Sequence, residues 1–448
     1  MTLKSMKGML WSALLSITFT ACTKDELNNE PSASPDASNY SNAVATKWND
    51  MELSLIQSTP GFVPPVAARA LAYTHLSAYE AISPGIAANR SVDDVMHYDY
   101  QLPEIDPEQR YNWALVANGA YFQSVRAFYA NADGHYQSRV DSLYQALKNE
   151  IGKSESQEVI SRSDSYGAEV ADAIYNWSVI DKGHEGYNNL FPASYSHQAG
   201  PGKWEPTPPA FQSTPLLPYW GYNRPFMPAN ISDACLPVAP YLFSSDTSSN
   251  FYKDALEVFN TYNQLSQEQK DIAYFWADGS GTYTPPGHNM NIATQLLRLD
   301  NVRLDKAAEV YLRMGLACND AFIACWKVKY EHNIMRPVTF IKRYISAGWM
   351  PLINTPPFPE YTSGHSSVSA ACSEVLSAAF GSNRPFTDHT NESIGLAPRT
   401  YNSFTEAANE AAMSRLYGGI HFPNGNTKGT ACGKQIGKNV VGIYLLKK

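Results

Sequence analysis

The sequence has no excess of positive charge and little of the apolar–polar alternation that is typical of β-strands. Its 448 residues include 34 Lys and Arg against 42 Asp and Glu, a formal net charge of −8. This balance argues against nucleic acid as a partner, because nucleic-acid binding needs a basic surface. A content of 44% hydrophobic and 12% aromatic residues excludes a mainly disordered chain. The length allows one large domain or two to three ordinary ones.

The apolar run near the N-terminus is shorter than the ~20 residues that a membrane-spanning helix needs. It extends from Met9 to Phe19, follows two lysines and leads to Cys22, a pattern typical of a secretion signal. A short membrane anchor is the alternative. The small residues before Cys22 resemble a bacterial lipobox, so we expect residues 1–21 to be a lipoprotein signal peptide and Cys22 to carry the lipid anchor. Residues 22–45 are predicted to be a flexible tether, and the protein to be exported to the periplasm or the outer-membrane or cell surface.

The sequence has no CxxC spacing. Beyond Cys22 it contains five cysteines, of which Cys318 and Cys325 lie seven residues apart in a helical pattern. Two turns along one helix is too far for a disulfide between them. The odd count and the apolar surroundings predict buried thiols, with one long-range disulfide as the alternative.

From about residue 46 the apolar residues recur at helical spacing. The segment from Val66 to Ile82 has helix start and stop signals at Pro64-Pro65 and Pro84-Gly85. Residues 305–333 are apolar around most of a helix circumference, which predicts a central helix. The Pro-rich, aromatic segment 197–240 is interpreted as a belt packed over the helices. We therefore predict an all-α fold over residues 46–448, either one unit or two helical bundles joined by this belt.

The first chemical motif runs from Lys329 to Arg336-Pro337. Residues seven apart on a helix lie on nearly one face, so both cations could reach the same anion. Trp326 lies on the stripe of Lys329, and a cation among aromatic side chains needs a partner. We expect Pro337 to end or distort the helix, with Arg336 on its last turn. The alternative is an ordinary solvated helix face.

The second motif is Ser363-Gly364-His365, at the start of a predicted helix. The first N–H groups of a helix have no intrahelical partner, and glycine lets an oxygen approach the backbone. An anion site is therefore predicted here, and an ordinary serine N-cap beside a surface histidine is the alternative.

The third motif combines Arg415 with Gly418-Gly419 and His421. In an unbroken helix the arginine and the histidine would diverge by about 120°, but the two glycines can turn the chain so that both converge. The alternative is a Gly-rich helix end with an incidental histidine. Together the three motifs supply the cations, imidazoles, hydroxyl group and helix N-terminus that a tetrahedral oxyanion needs.

The ordered motifs Lys-x6-Arg-Pro, Ser-Gly-His and Ser-Arg-x3-Gly-x-His resemble those of the superfamily of vanadium-dependent haloperoxidases and type-2 phosphatidic acid phosphatases. All of them lie within residues 326–425. Residues 48–82 and 218–226 are similar to the bacterial haloperoxidase branch, so the resemblance covers most of residues 46–446. It implies an all-α fold that holds vanadate at the end of a helical bundle.

The resemblance also implies the roles of the site residues. His421 would coordinate vanadium, and His365 would take a proton from hydrogen peroxide. The oxygens of vanadate would be bound by Lys329, Arg336, Ser363, the Gly364 N–H and Arg415, with Lys329 also polarising the activated oxygen for attack by halide. Phe358 and Trp326 occupy positions that line the halide entrance, although ordinary core packing is the alternative. Iodide is the expected halide because it is the easiest to oxidise, and bromide is possible.

Two positions depart from the family pattern. Thr362 replaces the usual proline before Ser363, which should only alter the loop. Gly425 stands four residues after His421, where the family usually has an Asp that orients the histidine through Nδ1. We expect an Asn side chain or a backbone carbonyl to replace that Asp.

Two other functions use the same observations. In a phosphatase of this superfamily, His421 would form a phosphohistidine and His365 would be the general acid. A non-enzymatic, helical, glycan-binding lipoprotein would share the composition, but it has no use for convergent cations. We expect structural roles for four other histidines: His75, His288, His332 and His389. The sequence carries no prediction of oligomeric state.

Overall fold

A computed structural model describes residues 1–2 and 33–446. Residues 3–21 of the predicted signal peptide, the lipidation site Cys22 and residues 23–32 of the predicted tether lie outside the described residues. For residues 33–45 the prediction of a flexible tether is wrong, because Ala37 is fully buried and a helix already begins at Ala43. The regular secondary structure of the described residues is helical apart from one short β-hairpin, which confirms the predicted all-α fold. In this part of the chain, no helix is both long and apolar enough to cross a membrane.

The N-terminal part of the fold is a group of helices that pack around α2 and α4. Its helices are α1 (Ala43–Ser58), α2 (Pro64–Ile82), α3 (Asp93–Met96), α4 (Trp113–Phe128), α5 (Gly134–Ile151) and α6 (Gln157–Ser178). Helix α2 starts at Pro64 because proline fits the first turn, where the missing N–H has no intrahelical acceptor. A Cβ atom on Gly167 of α6 would lie 2.0 Å from the Val116 carbonyl oxygen of α4. Only glycine therefore allows these two helices to pack this closely.

The C-terminal part contains eight helices and the hairpin. The helices are α7 (Asn250–Asn263), α8 (Gln267–Phe275), α9 (Thr284–Leu299), α10 (Leu304–His332), α11 (Pro337–Tyr344), α12 (Gly364–Phe380), α13 (Phe404–Tyr417) and α14 (Pro423–Val441). Strands β1 (Phe386–Asp388) and β2 (Arg399–Tyr401) pair antiparallel, with Phe386 opposite Tyr401.

Helix α10 is central, as its apolar circumference predicts. It packs on α2 on one side and on α12 and α14 on the other. The five cysteines within the described residues are all buried as free thiols. Cys318 of α10 meets Cys372 of α12 with their sulfur atoms 3.3 Å apart.

Close packing of α12 against α14 positions the candidate site. Cβ atoms on Gly433 and Gly437 of α14 would lie 2.1 Å from the Ser367 oxygen and 2.5 Å from the Ala371 oxygen of α12. Because these glycines remove the side chains between the helices, α12 and α14 run in contact. The start of α12, at Gly364, therefore lies beside the start of α14.

The Pro-rich belt forms no α-helix or strand and contains only short 3₁₀ turns. Its aromatic residues Trp204, Trp220 and Phe226 are almost fully buried, whereas Phe211 and Tyr219 are exposed. The buried three carry the packing of the belt. They pack against the helices, as the interpretation of this segment as a belt expects.

Candidate active site

The second and third motifs line the floor of a cavity of about 750 Å³, and Arg336 of the first motif lies behind this floor, in contact with His421. The cavity wall is mostly apolar, and Gly364, His365, Arg415 and His421 contribute to its lining. These residues come from the start of α12, the end of α13 and the turn before α14. A cavity of this size and lining is typical of a site for small molecules.

Lys329 lies at the end of α10 and is completely buried. Its Nζ donates hydrogen bonds to the carbonyl oxygens of Pro359 at 3.0 Å and Glu360 at 2.9 Å, and also to that of Thr362. Burial lowers the pKa of Lys329 to about 8. The lysine thus fixes the loop that leads into Ser363.

Arg336 does not lie on the last turn of the helix of Lys329, so this prediction is wrong. Helix α10 ends at His332, and Asn333 follows in a left-handed conformation with φ 52°. Arg336 then precedes Pro337, the first residue of α11. Pro337 cannot continue α10 but suits the first turn of a new helix. The chain turn, and not a shared helix face, directs Arg336 into the site.

The Arg336 guanidinium is fully buried against the floor of the cavity. Its Nε donates to the Phe358 oxygen and its Nη1 to the Ile420 oxygen, both at 2.8 Å. Nη1 also lies 3.1 Å from Nε2 of His421. Its Nη2 is buried without a hydrogen-bond partner among the described residues.

Ser363 is the N-cap of α12. Its Oγ accepts the N–H of Ser366 at 3.3 Å, which is the N-cap that the alternative interpretation of the motif expects. The His365 side chain is 16% exposed, and its Nε2 lies 3.6 Å from Oδ2 of Asp278. Burial and the nearby Arg415 guanidinium lower the pKa of His365 to about 4.

The glycine pair brings Arg415 and His421 to the same cavity. Helix α13 ends at Tyr417, and Gly419 adopts φ +75°, which favours glycine. Arg415 Nε donates to the Ser414 hydroxyl at 3.0 Å, and its Nη2 donates to the carbonyl oxygen of Trp276.

His421 is held in one tautomer. Its Nδ1 lies 2.7 Å from Oε1 of Glu360, and its Nε2 faces the Arg336 guanidinium. A guanidinium only donates, so Nε2 is the acceptor and Nδ1 carries the proton. Burial, with the positive charges of Arg336 and Lys329, lowers the pKa of His421 well below its usual value. The ring is therefore neutral, with the Nε2 lone pair on the side of the cations.

The aromatic pair Trp326 and Phe358 lines the cavity next to the cations. The ring centroids lie 5.0 Å apart. The Phe358 ring centroid lies 5.1 Å from Lys329 Nζ and 4.8 Å from Arg336 Cζ. Both aromatic rings thus shield the cations from water and form an apolar wall.

The donor set fits a tetrahedral oxyanion. Two buried guanidiniums, a buried lysine, the start of α12 and a neutral histidine surround the floor of the cavity. Arg336 Nη2 is buried without a hydrogen-bond partner among the described residues, and a buried polar group without a partner costs free energy. In the same part of the chain, no group of three or more His, Cys, Asp or Glu residues is placed to hold a bare metal ion.

Comparisons with known proteins agree with this geometry. A family model described as the VCPO second helical-bundle domain matches residues 309–445. The crystal structure of a bacterial vanadium-dependent iodoperoxidase is 33% identical, with a TM-score of 0.83, and the match covers 91% of this chain and 98% of that one. The chain belongs to the vanadium-dependent haloperoxidase family.

More distant haloperoxidases also match. The vanadium chloroperoxidase of Curvularia inaequalis is 25% identical over 394 residues, which are 73% of this chain. The match spans 64% of that longer protein. A holo-type bacterial vanadium-dependent chloroperoxidase shares the fold at 17% identity, with a TM-score of 0.65 and coverage of 85% of this chain and 91% of that one.

In this member of the family, Glu360 takes the place expected for an Asn side chain or a backbone carbonyl at Nδ1 of His421. Its Oε1 also accepts the Phe422 N–H at 3.1 Å. A Cβ atom on Gly425 would lie 2.2 Å from this oxygen, so the two positions exclude each other's side chains. The only sequence signal for Glu360 was a carboxylate three residues before Ser363.

Sequence reasoning also missed Asp278, and it assigned His288 to structure. Asp278 faces His365, and its other oxygen, Oδ1, lies 2.8 Å from His288 Nδ1. The remaining histidines lie outside the cavity lining. His75 is buried beside the Tyr121 hydroxyl at 3.1 Å, and burial lowers its pKa to about 3. His332 is half-buried and His389 is exposed.

Proposed function

We propose that this protein is a vanadium-dependent haloperoxidase that uses hydrogen peroxide to oxidise a halide, first of all iodide, to hypohalous acid. The supporting observation is the neutral His421, whose unprotonated Nε2 lies among buried cations at the floor of an apolar cavity. The chain is 33% identical to a bacterial vanadium-dependent iodoperoxidase over almost the full length of that protein, which favours iodide as the substrate.

Vanadate would be held through His421 Nε2, with its oxygens bound by Lys329, Arg336, Ser363, the Gly364 N–H and Arg415. When bound, vanadate supplies a Lewis acid that activates the peroxide. Glu360 keeps the proton of His421 on Nδ1, so that Nε2 stays available as a ligand. The guanidiniums stay protonated at neutral pH because their pKa values, although lowered by burial, remain at about 10.

His365 is the proposed general base for hydrogen peroxide. Its pKa of about 4 leaves the ring neutral at pH 7, so it can accept a proton. The carboxylate of Asp278, 3.6 Å away, stabilises the imidazolium that results. Lys329 holds the loop from Pro359 to Thr362 through its three hydrogen bonds, and its positive charge would polarise an oxygen bound in the site.

Phe358 and Trp326 are proposed to form the halide side of the cavity. An apolar wall favours a large, weakly hydrated anion such as iodide over a strongly hydrated one, because the anion must lose water to enter. Bromide is the second candidate.

The experiment separates the haloperoxidase from a phosphatase with the same residues. The form that lacks residues 1–22 is incubated with orthovanadate, and peroxide-dependent triiodide formation is followed beside aryl phosphate hydrolysis without vanadate. We expect vanadate-dependent triiodide formation that phosphate suppresses and that His421→Ala abolishes. His389→Ala, at an exposed histidine, is the matched control and should keep full activity. Hydrolysis of the phosphate ester without iodide oxidation would favour the phosphatase.

We further propose that the chain is exported as a lipoprotein anchored through Cys22, with the residues between Cys22 and the folded part of the chain as the tether. The support is the sequence pattern: two lysines, a short apolar run and small residues before Cys22. Full-length protein should incorporate labelled fatty acid and sediment with membranes. Cys22→Ser should abolish both, and labelling of the variant would contradict the proposal.

A further inference from the structure

His288 lies between two buried carboxylates directly behind His365. Its Nδ1 is 2.8 Å from Oδ1 of Asp278, and its Nε2 is 2.7 Å from Oδ2 of Asp388. All three side chains of this cluster are at most 2% exposed. The second oxygen of Asp278 faces His365. The four side chains thus form a continuous row from the cavity into the core.

Four separate parts of the fold build this row. Asp278 lies in the loop after α8, His288 on α9, Asp388 at the end of β1, and His365 on α12. The Trp276 ring stacks on His288, with centroids 4.5 Å apart and an angle of 14°. The N–H of Thr390 donates to the other oxygen of Asp388 at 2.9 Å. The imidazole is therefore fixed on its face and at both nitrogens.

The contacts define the charge of His288. A carboxylate oxygen only accepts, so both ring nitrogens must donate and the ring is an imidazolium. Burial alone would lower the pKa of His288, but Asp278 and Asp388 raise it to about 10. Since both nitrogens donate to carboxylates, the His288 ring has no nitrogen lone pair for a metal ion.

His288 contacts only one oxygen of Asp278, so the other oxygen can contact His365. Asp278 Oδ2 and His365 Nε2 are both buried and have no hydrogen-bond partner among the described residues. They lie 3.6 Å apart, just beyond hydrogen-bond distance. Such catalytic contacts are often long in ligand-free sites and shorten when the ligand binds.

We propose that His288, fixed by Asp388 and Trp276, is a positioning residue that keeps Asp278 ionised and turned toward His365. Asp278 then accepts a hydrogen bond from the Nε2–H of His365, which leaves Nδ1 as the nitrogen that accepts a proton from the substrate. The charged or titratable groups around His365 are Asp278, Arg415, His288 and His421. Of these, Asp278 is the acceptor that can select the tautomer. The expected effect on turnover rests on the proposed function, whereas the expected tautomer of His365 does not.

The test begins with the vanadate-free protein, residues 23–448, labelled with ¹⁵N in its histidines. Long-range ¹H–¹⁵N spectra report which nitrogen of each ring is protonated, and His365→Gln identifies the signals of His365. We expect protonated Nε2 and unprotonated Nδ1 in the native protein, and loss of this preference in His288→Gln. His389→Gln is the matched control. An unchanged His365 tautomer in folded His288→Gln would overturn the proposal.

Turnover is the second readout. In the vanadate-loaded enzyme, His288→Gln should lower kcat roughly 10- to 100-fold, the usual effect of removing an outer-shell partner, with little change in KM for iodide. A purely structural salt bridge would lower thermal stability and leave kcat unchanged at temperatures where the variant is folded. That result would also overturn the proposal.

Asp388→Asn is the milder variant if His288→Gln does not fold. It keeps the shape of the side chain at position 388 but removes one of the two carboxylates that raise the pKa of His288. The loss of kcat at alkaline pH should therefore begin at a lower pH than in the native enzyme. An unchanged alkaline limb would contradict the inference. Absence of turnover in the native protein, together with the expected His365 tautomer, would instead count against the proposed function.

Discussion

The carboxylate of Glu360 occupies the space that a side chain at position 425 would need. A Cβ atom on Gly425 would lie 2.2 Å from Oε1 of Glu360, and this oxygen lies 2.7 Å from Nδ1 of His421. A carboxylate at Nδ1 of the histidine is therefore present even though the usual Asp is absent. It comes from the loop before α12 and not from the first turn of α14.

Glu360→Gln should weaken vanadate binding and lower kcat, each by roughly 10- to 100-fold, as is typical when the partner of a metal-ligating histidine is changed. The amide can present either an acceptor or a donor to Nδ1, so the tautomer of His421 is no longer fixed. The dissociation constant of vanadate, measured by quenching of tryptophan fluorescence, checks this. Glu392→Gln, at an exposed glutamate, is the matched control. Equal affinities of Glu360→Gln and the native protein would contradict the role given to Glu360.

The exclusion between positions 360 and 425 predicts strong coupling in a double-mutant cycle. Gly425→Asp alone should impair vanadate binding, because its side chain collides with Glu360 and adds a second buried carboxylate. Glu360→Ala alone should also impair it. The double variant should bind vanadate better than either single variant, because the Asp takes over Nδ1 of His421. Additive losses in the double variant would mean that the two carboxylates are not interchangeable.

Arg336→Lys keeps the positive charge but removes the planar guanidinium. This group donates to the carbonyl oxygens of Phe358 and Ile420 and leaves Nη2, which has no hydrogen-bond partner among the described residues, to bind an anion in the site. Hydrogen bonds to charged groups contribute about 1.5–3 kcal/mol, so vanadate affinity should fall at least about tenfold. The exposed Arg343, which pairs with Glu205, gives the control Arg343→Lys. An unchanged vanadate affinity of Arg336→Lys would show that charge alone is sufficient.

The buried His75, which lies outside the candidate active site, should make the free energy of unfolding fall at acid pH. Its pKa is lowered to about 3 in the folded protein by burial, whereas an unfolded histidine has a pKa of about 6.5. The unfolded chain thus binds the extra proton, and folded-state stability is lost as the pH falls from about 6.5 toward 3. Urea unfolding between pH 4 and 7 should give a shallower loss for His75→Gln than for the native protein. Equal slopes would mean that His75 does not remain neutral on folding.

The sequence was sufficient for the fold class and for the three motifs, because helical periodicity and motif order are local properties. It was wrong about Arg336, because a proline can end one helix or begin the next, and only packing decides which. Glu360 could not be assigned, since 61 residues separate it from His421. Likewise, Asp278 and Asp388 meet His288 only after α9 packs beside the β-hairpin.

The most direct test of the account is the rate of peroxide-dependent triiodide formation as orthovanadate is added to vanadate-free protein. We predict no activity without vanadate, a saturable rise with vanadate, and loss of that rise in His421→Ala while His389→Ala keeps it. Triiodide formation that is independent of vanadate, or that survives in His421→Ala, would contradict the assignment of His421 as the vanadium ligand of a haloperoxidase.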